Sequence, residues 1–191
     1  MTRSPNATTI KFLTVKEVSR LLKAIKSKRD LALVYVAYRH GLRISEARTI
    51  KRDDVNFSTG QIFTRRLKGS RSAWQALDKA TAGLIQTYLS TRSDSDPVLF
   101  RSKKGGPLSS QHVARLFTAY ATTARISPDK RHFHVLKHSC ATHLLEASKD
   151  IVLVQEWLGH ADIRNTMLYA DLIGVVVNER VKALSGAFVG V

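Results

Sequence analysis

The chain has a single cysteine, Cys140, and few acidic residues, with 15 Asp and Glu against 31 Lys and Arg among its 191 residues. Because one cysteine cannot form an internal disulfide, the composition fits a reducing compartment. No apolar run reaches the roughly 18 residues that a membrane-spanning helix needs, and the first ten residues lack the apolar core of a signal peptide. These absences predict a cytoplasmic protein.

The formal net charge of +16 is the most unusual property of the composition. A hydrophobic share of 43% is ordinary for a globular protein, so this charge belongs to a folded surface rather than to a disordered basic tail. Such a surface attracts polyanions, with binding that weakens steeply as salt rises. Acidic membranes are the alternative, but they usually require an amphipathic basic helix or a lipidation signal, and the sequence has neither. Nucleic acid is therefore the expected partner, with no membrane.

The spacing of apolar residues predicts one domain that is mainly α-helical with a small antiparallel β-sheet. Thr14 and Glu17 form a capping box at the start of the first helix. Helices are predicted at 14–27, 31–38, 45–51, 79–89, 110–122, 134–147, 151–158 and 163–169. Two short strands, at 61–66 and 72–77, flank a basic turn that contains Lys68, a pattern typical of a β-hairpin.

The chain divides into three segments. Residues 1–11 have no apolar periodicity and are expected to form a flexible tail, and residues 12–173 carry the patterns of the folded domain. Residues 174–191 are apolar with a short charged patch. They predict either a last core helix or an arm that docks on a neighbouring molecule.

Several polar residues towards the end of the domain could carry phosphate chemistry. A phosphodiester gains negative charge as a nucleophile adds, so cationic donors must converge on its oxygens beside an attacking group and a proton donor. His134 and Lys137 are three residues apart and therefore share one face of a predicted helix. His160 stands at a predicted helix end, and Tyr169 comes nine residues later.

Four segments resemble the motifs of the tyrosine recombinases, also called the phage-integrase family. They are Gly41-Leu42-Arg43-Ile44-Ser45-Glu46, His134-Val135-Leu136-Lys137-His138, Leu158-Gly159-His160 and Thr166-Met167-Leu168-Tyr169. Their order and spacing also match the family. The resemblance covers about residues 12–173. It is greatest to the compact recombinases that invert a fimbrial promoter switch, through Ala37-Tyr38-Arg39-His40-Gly41 and Arg65-Arg66-Leu67-Lys68. It implies the catalytic-domain fold of the tyrosine recombinases, a DNA breaking-rejoining enzyme fold.

The resemblance implies an enzyme that cleaves and rejoins duplex DNA at specific sites, giving integration, excision or inversion. Tyr169 would attack the scissile phosphate and form a 3′-phosphotyrosine link. Arg43 would clamp a non-bridging oxygen with its planar fork. Lys68 would protonate the departing 5′ oxygen. No cofactor or metal ion is implied, because the covalent link conserves the energy of the phosphodiester bond.

The remaining motif residues would act around these three. His134 and His160 would donate hydrogen bonds to the phosphate, and His134 is also a candidate to accept the tyrosine proton. Glu46 would support Arg43 from behind, and Asp54 stands where the family usually has an acidic residue. A zinc site at His134 and His138 lacks the glutamate and the further ligands that such a site needs.

The sequence departs from the family at Lys137, which stands where a second catalytic arginine is usual. Lysine is a point charge and cannot offer two parallel donors. The loss corresponds to about 2–4 kcal/mol of transition-state stabilisation, by analogy with removing one oxyanion donor. An alternative function is therefore a DNA-binding regulator with the same fold and weak or no cleavage. A relaxing enzyme resembling type IB topoisomerases shares the chemistry but would not need the segment 174–191.

The resemblance also implies an assembly. Such enzymes act as homo-oligomers on duplex DNA, and a tetramer on two sites is expected here, with residues 174–191 packed against a neighbour. Accessory DNA-bending proteins are further candidate partners, and the DNA-bound protein would be associated with the nucleoid. Only about a dozen residues precede the first predicted helix, so the family's usual N-terminal DNA-clamping domain is not expected.

Overall fold

The computed structural model describes residues 10–67 and 69–172. Lys68, residues 1–9 of the predicted tail and the segment 174–191 lie outside this range. At its start, Ile10 packs against a small apolar cluster and Lys11 forms an ion pair with Asp129 at 3.0 Å. No helix in the described residues is both long and apolar enough to cross a bilayer.

The fold is mainly helical with one small antiparallel sheet, which confirms the predicted class. The helices are α1 (Val15–Ala24), α2 (Lys28–Arg39), α3 (Ile44–Ala47), α4 (Lys79–Leu89), α5 (Ser110–Thr123), α6 (Val135–Ser148), α7 (Ile151–Leu158) and α8 (Arg164–Leu172). The strands are β1 (Val55–Asn56), β2 (Gln61–Thr64) and β3 (Ala73–Ala76), and they pair in the order β1-β2-β3. The hairpin predicted around the basic turn is the β2–β3 pair, in which Gln61 faces Ala76 and Thr64 faces Ala73.

The predicted boundary between the first two helices was wrong. The capping box of Thr14 and Glu17 is present, but α1 ends at Ala24, before the predicted 27. α2 begins at Lys28, where a polar break was expected, because the hydroxyl of Ser27 accepts a hydrogen bond from the backbone N–H of Asp30. The carboxylate of Asp30, near the positive end of the helix dipole, is also bonded to the hydroxyl of Tyr120 at 2.8 Å.

The region between α2 and β2 also differs from the prediction. The third helix was expected at 45–51, but α3 spans the four residues Ile44–Ala47, and Arg43 holds the N-cap position. The carboxylate of Glu46, in the first turn of α3, accepts the backbone N–H of Arg43 at 2.8 Å. Strand β1 was missed, because two residues are too few to show an alternating pattern.

Two apolar clusters hold the helices together. The larger one is built mainly from α1, α2, α4 and α5 and reaches the start of α6. The smaller one joins α6, α7 and α8 through Ala141, Leu145, Val154, Leu158 and Tyr169. Because α6 contributes to both clusters, the start of this helix is held against the end of α7 and against α8. The motif residues on these three helices are therefore brought to one place.

Candidate active site

Five of the predicted site residues line a single cavity of about 310 Å³. They are Arg43, His134, Lys137, His160 and Tyr169. They come from the start of α3, the first turn of α6, the loop after α7, and α8. Since up to 126 residues separate them in the chain, only the packing of the helices brings them together.

Two hydrogen bonds to Glu46 hold Arg43 at the cavity. Its Nη1 donates to Oε1 of Glu46 at 3.0 Å, and its backbone N–H donates to Oε2 at 2.8 Å. Although burial raises the pKa of Glu46, the backbone hydrogen bond and the guanidinium of Arg66 lower it overall. The carboxylate therefore stays ionised, and the half-exposed fork of Arg43 keeps its remaining donors for a ligand.

Arg66, for which no role was predicted, is the second partner of Glu46. Its side chain is fully buried, with Nη1 at 3.3 Å from Oε2 of Glu46. The same guanidinium donates to the carbonyl oxygens of Gly41, His40 and Trp157 at 2.8–3.0 Å. The sequence did contain an indication that this side chain is buried. Residue 66 continues the alternation of β2, in which residues 62 and 64 face inward. Arg66 thus attaches the hairpin to the ends of α2 and α7.

His160 is positioned by the glycine that precedes it. Gly159 ends α7 with φ of +68°, a left-handed conformation that favours glycine. Its carbonyl accepts the backbone N–H of Arg71 at 2.8 Å, which ties the loop to the hairpin. Nδ1 of His160 lies 2.9 Å from the hydroxyl of Thr166 on α8. Burial, followed by the charges of Lys137 and Arg43, lowers the pKa of His160 to about 4.

The first turn of α6 presents His134 and Lys137 to the cavity. His134 holds the N-cap position and its side chain stays exposed. Lys137 is only 2% exposed, and its Nζ lies 3.5 Å from the carbonyl oxygen of Leu158. Burial, followed by repulsion from Arg66 and Arg43, lowers the pKa of Lys137 to about 7. The ammonium is therefore sensitive to pH in the neutral range.

Tyr169 lines the same cavity from α8. Its side chain is 2% exposed, and its hydroxyl lies 3.0 Å from Nδ1 of His138. Burial raises the pKa of the phenol above its ordinary value, so the hydroxyl keeps its proton at neutral pH. The motif contained His138, but no role was predicted for it.

Of the other predicted residues, Glu46 and Asp54 do not line this cavity. Asp54 is nearly buried, accepts the backbone N–H of Lys51 at 2.9 Å and pairs with Arg65 at 3.0 Å. It therefore braces the segment before β1 against the hairpin. Lys68 lies outside the described residues, while Gly69 and Ser70 of the same turn line the cavity.

The cavity combines a cationic lining with a protonated phenol. Arg43 and Lys137 can attract an anion, His134 and His160 can donate ring N–H groups, and Tyr169 presents a phenol hydroxyl. Within residues 10–67 and 69–172, no three His, Cys, Asp or Glu side chains converge as a metal ion would require. These groups suit the binding of a phosphate and an attack on its phosphorus.

Comparisons with known proteins agree with the motifs. The sequence profile of the phage integrase family matches residues 11–173. Tyrosine recombinase XerA of Thermococcus kodakarensis is 38% identical over 167 residues, which cover 85% of this chain and 58% of the relative. Type 1 fimbriae regulatory protein FimE of Escherichia coli K12 is 32% identical over 168 residues, covering 83% of this chain and 84% of the relative.

A solved structure is similar to this fold. The structure of XerH site-specific recombinase bound to palindromic difH substrate, a post-cleavage complex, matches it with a TM-score of 0.78. Sequence identity is 24%, and the match covers 96% of this chain and 55% of that one. The likeness confirms the fold that the sequence motifs implied. The chain spans 58% of the length of the XerA relative.

Proposed function

This chain is a member of the phage integrase family, and on that premise we propose that it is a site-specific recombinase of duplex DNA. It cleaves and rejoins DNA through a covalent 3′-phosphotyrosine intermediate. The observation that carries the proposal is the convergence of Arg43, His134, Lys137, His160 and Tyr169 on one cavity. An enzyme that attacks a phosphodiester needs a nucleophile beside cationic and hydrogen-bond donors, and this cavity holds a phenol among such groups.

Each residue has a role that its position supports. Tyr169 is the nucleophile, and Arg43, held by Glu46, clamps a non-bridging oxygen of the scissile phosphate. His134 and His160 donate hydrogen bonds to the phosphate, and Lys137 adds a point charge from the cavity wall. Charge that develops in the transition state is thereby stabilised by donors already in place.

Lys68 is the proposed acid that protonates the departing 5′ oxygen. One support for this role is the place of Lys68 in the sequence of the basic turn. The other is Ser70, two residues later in the chain, whose hydroxyl lies 3.5 Å from Nη1 of Arg43. A lysine is suited to this role because its pKa responds to its surroundings and a phosphate lies nearby when DNA is bound. Lys68→Ala should slow cleavage most on a normal 5′-oxygen leaving group. A 5′-phosphorothiolate, whose sulfur leaves without a proton, should restore the rate.

Duplex DNA is the proposed partner, supported by the charge of +16 and by the family. We propose that the protein acts in the cytoplasm, on DNA of the nucleoid. Binding should weaken steeply with salt as counterions are released.

The experiment that tests the reaction uses a duplex with a nick near the cleavage site, so that the cut strand diffuses away and the intermediate accumulates. The wild-type chain should form a protein–DNA adduct that survives SDS. Tyr169→Phe should form none while binding the same duplex. Tyr120→Phe, which removes a phenol hydroxyl bonded to Asp30 outside the cavity, is the matched control and should keep the adduct.

Binding without any adduct from the wild-type chain would instead favour the regulator with weak or no cleavage. One observation supports keeping this second candidate: Lys137 is buried with a pKa of about 7, so part of its charge is lost at neutral pH. Lys137→Arg then distinguishes a weakened enzyme, which should gain adduct, from a protein without the activity.

We also propose a tetramer on two DNA sites, in which residues 174–191 pack against a neighbouring protomer. The support is the apolar composition of that segment and a cavity of about 330 Å³ lined by Tyr38, His143, Leu153 and Trp157 among others. Deleting 174–191 should reduce assembly on paired sites more than binding to one site. Leu153→Arg should have the same effect, because Leu153 is exposed beside that cavity.

A further inference from the structure

The hydrogen bond of the Tyr169 hydroxyl goes to His138 and not to His134, within the part of the chain that the structure describes. The phenol oxygen lies 3.0 Å from Nδ1 of His138, and the two ring centroids are 5.8 Å apart. His138 follows His134 by one turn of α6, and their rings meet edge to face at 4.6 Å. The group nearest the proton of the nucleophile is therefore one to which the motif assigned no role.

We propose that His138 is a further catalytic residue, which orients the phenol of Tyr169 and accepts its proton as the oxygen attacks phosphorus. The inference rests on the proposed function, because it names the base for that reaction. It takes from His134 the role of proton acceptor and leaves His134 as a hydrogen-bond donor to the phosphate.

The step balances with groups already named. A bond forms between the phenol oxygen and phosphorus, and the bond between phosphorus and the 5′ oxygen breaks. The phenol proton passes to Nδ1 of His138, giving an imidazolium. The 5′ oxygen leaves with the bonding electron pair and takes a proton from Lys68, the proposed acid. When the 5′-hydroxyl of the incoming strand attacks, each transfer runs in reverse and the phenol recovers its proton.

The resting protonation states agree with this direction of transfer. Burial, followed by the electrostatic effects of His134, His132 and Lys137, lowers the pKa of His138 to about 4. The imidazole is therefore neutral at pH 7, and the phenol is protonated. Under these conditions the Tyr169 hydroxyl donates to an unprotonated Nδ1.

A bound DNA phosphate would make His138 a stronger base. The titratable groups that face His138 are His132, His134 and Lys137 at the start of α6 and just before it, and Tyr169 from α8. A DNA phosphate adds negative charge to this mainly positive surrounding, which favours the imidazolium and raises the pKa of His138 towards neutrality. General bases work best near the ambient pH, so the base becomes effective when DNA is in place.

The test is the single-turnover rate of adduct formation by His138→Ala and His138→Gln on the nicked duplex. Loss of a general base lowers the rate by about 10²–10⁴-fold, while binding of the uncleaved duplex should not change. Glutamine keeps a hydrogen-bonding group but cannot accept the proton, so His138→Gln should remain slow. Added imidazole should restore part of the rate in His138→Ala and none in the wild type.

The pH profile separates proton transfer from a merely structural role. The acid limb of the wild-type profile should carry an inflection that is absent in His138→Ala. His112→Ala is the matched control, because His112 lies in the first turn of α5 and lines neither the active-site cavity nor the cavity beside Leu153. This control should keep both the rate and the profile.

A wild-type rate and profile in His138→Ala, or a full rate in His138→Gln, would overturn the inference and leave the proposed function standing. Absence of an adduct from the wild-type chain itself would overturn both.

Discussion

The buried guanidinium of Arg66 lies 3.3 Å from the carboxylate of Glu46, with both side chains almost completely shielded from water. The other oxygen of that carboxylate lies 3.0 Å from Nη1 of Arg43. One acidic side chain therefore connects an arginine of the cavity to an arginine of the hairpin. Because Arg66 also binds three backbone carbonyls, the position of Arg43 depends on the packing of the hairpin against α2 and α7.

Replacing Arg66 by lysine should destabilise the protein, because a single ammonium cannot satisfy the acceptors that the buried fork now serves. We expect a loss of about 2–4 kcal/mol in the free energy of unfolding, as for buried hydrogen bonds and charges left without partners. Urea denaturation measures it. The matched control is Arg65→Lys, whose side chain is 54% exposed and pairs with Asp54, and it should cost about 0–1 kcal/mol. Equal losses at the two positions would contradict this account.

Replacing Gly159 by alanine should disturb the loop that carries His160. A Cβ at this position would lie 2.4 Å from the carbonyl oxygen of Arg71, and φ is +68°. Gly106 has a similar φ of +64° with nothing within 4 Å of a Cβ, so Gly106→Ala isolates the backbone strain.

Backbone strain alone costs about 1–2 kcal/mol, which is the loss expected for Gly106→Ala. Gly159→Ala should cost about 1–3 kcal/mol more because of overpacking, and it should also lower the cleavage rate by displacing His160. Thermal unfolding and adduct formation measure the two effects. If Gly159→Ala lost no more stability than Gly106→Ala, the hairpin would have to move away from the added Cβ at no cost in free energy.

The cleavage rate should fall as pH rises above neutrality. The ammonium of Lys137 has a pKa of about 7, so the charged form is present below this value and is lost above it. Bound DNA raises the pKa of this cation, which places the decline on the alkaline side of pH 7. Lys137→Arg keeps its charge throughout, because a guanidinium does not lose its proton in this range.

The measurement is the rate of adduct formation between about pH 6 and 9, a range that extends to both sides of the pKa of Lys137. The wild-type decline should disappear in Lys137→Arg. An alkaline decline of the same size in both proteins would assign it to another group.

Stability should decrease as the solution is acidified from pH 6.5. His40 is 1% exposed, its Nδ1 lies 2.9 Å from Oε1 of Gln75, and its ring stacks on Trp157. Burial lowers its pKa from 6.5 to about 4. Between these two pH values the unfolded chain binds more protons than the folded one. The free energy of unfolding therefore decreases as the pH is lowered.

His40 alone should contribute about 1.5 kcal/mol to this loss between pH 6.5 and 5, because the slope rises towards about 1.4 kcal/mol per unit as the unfolded histidine becomes protonated. His138 and His160 change in the same direction, since burial also lowers their pKa values to about 4. Urea denaturation at several pH values measures the slope, and His40→Gln should reduce it. An unchanged slope in this variant would contradict the assignment to His40.

The sequence by itself determined the fold class, the family and five residues of the cavity. The capping box of Thr14 and Glu17 acts between residues three apart, and the motifs stand in a fixed order, so both can be found in the chain without knowledge of its packing. The boundary at Ser27 was missed because Lys28, Arg29 and Asp30 look like a polar break, whereas Asp30 is buried by contacts with Arg29 and Tyr120.

Only the tertiary structure decided the parts of the site that depend on contacts between distant segments. The burial of Arg66 follows from carbonyl groups at the ends of α2 and α7, and the bond between His138 and Tyr169 follows from the packing of α6 against α8. Local patterns carry no information about such contacts, because each residue fits the pattern of its own helix or strand whether or not its distant partner is present. The pKa of Lys137 is set in the same way, by burial and by charges that lie more than 70 residues away in the chain.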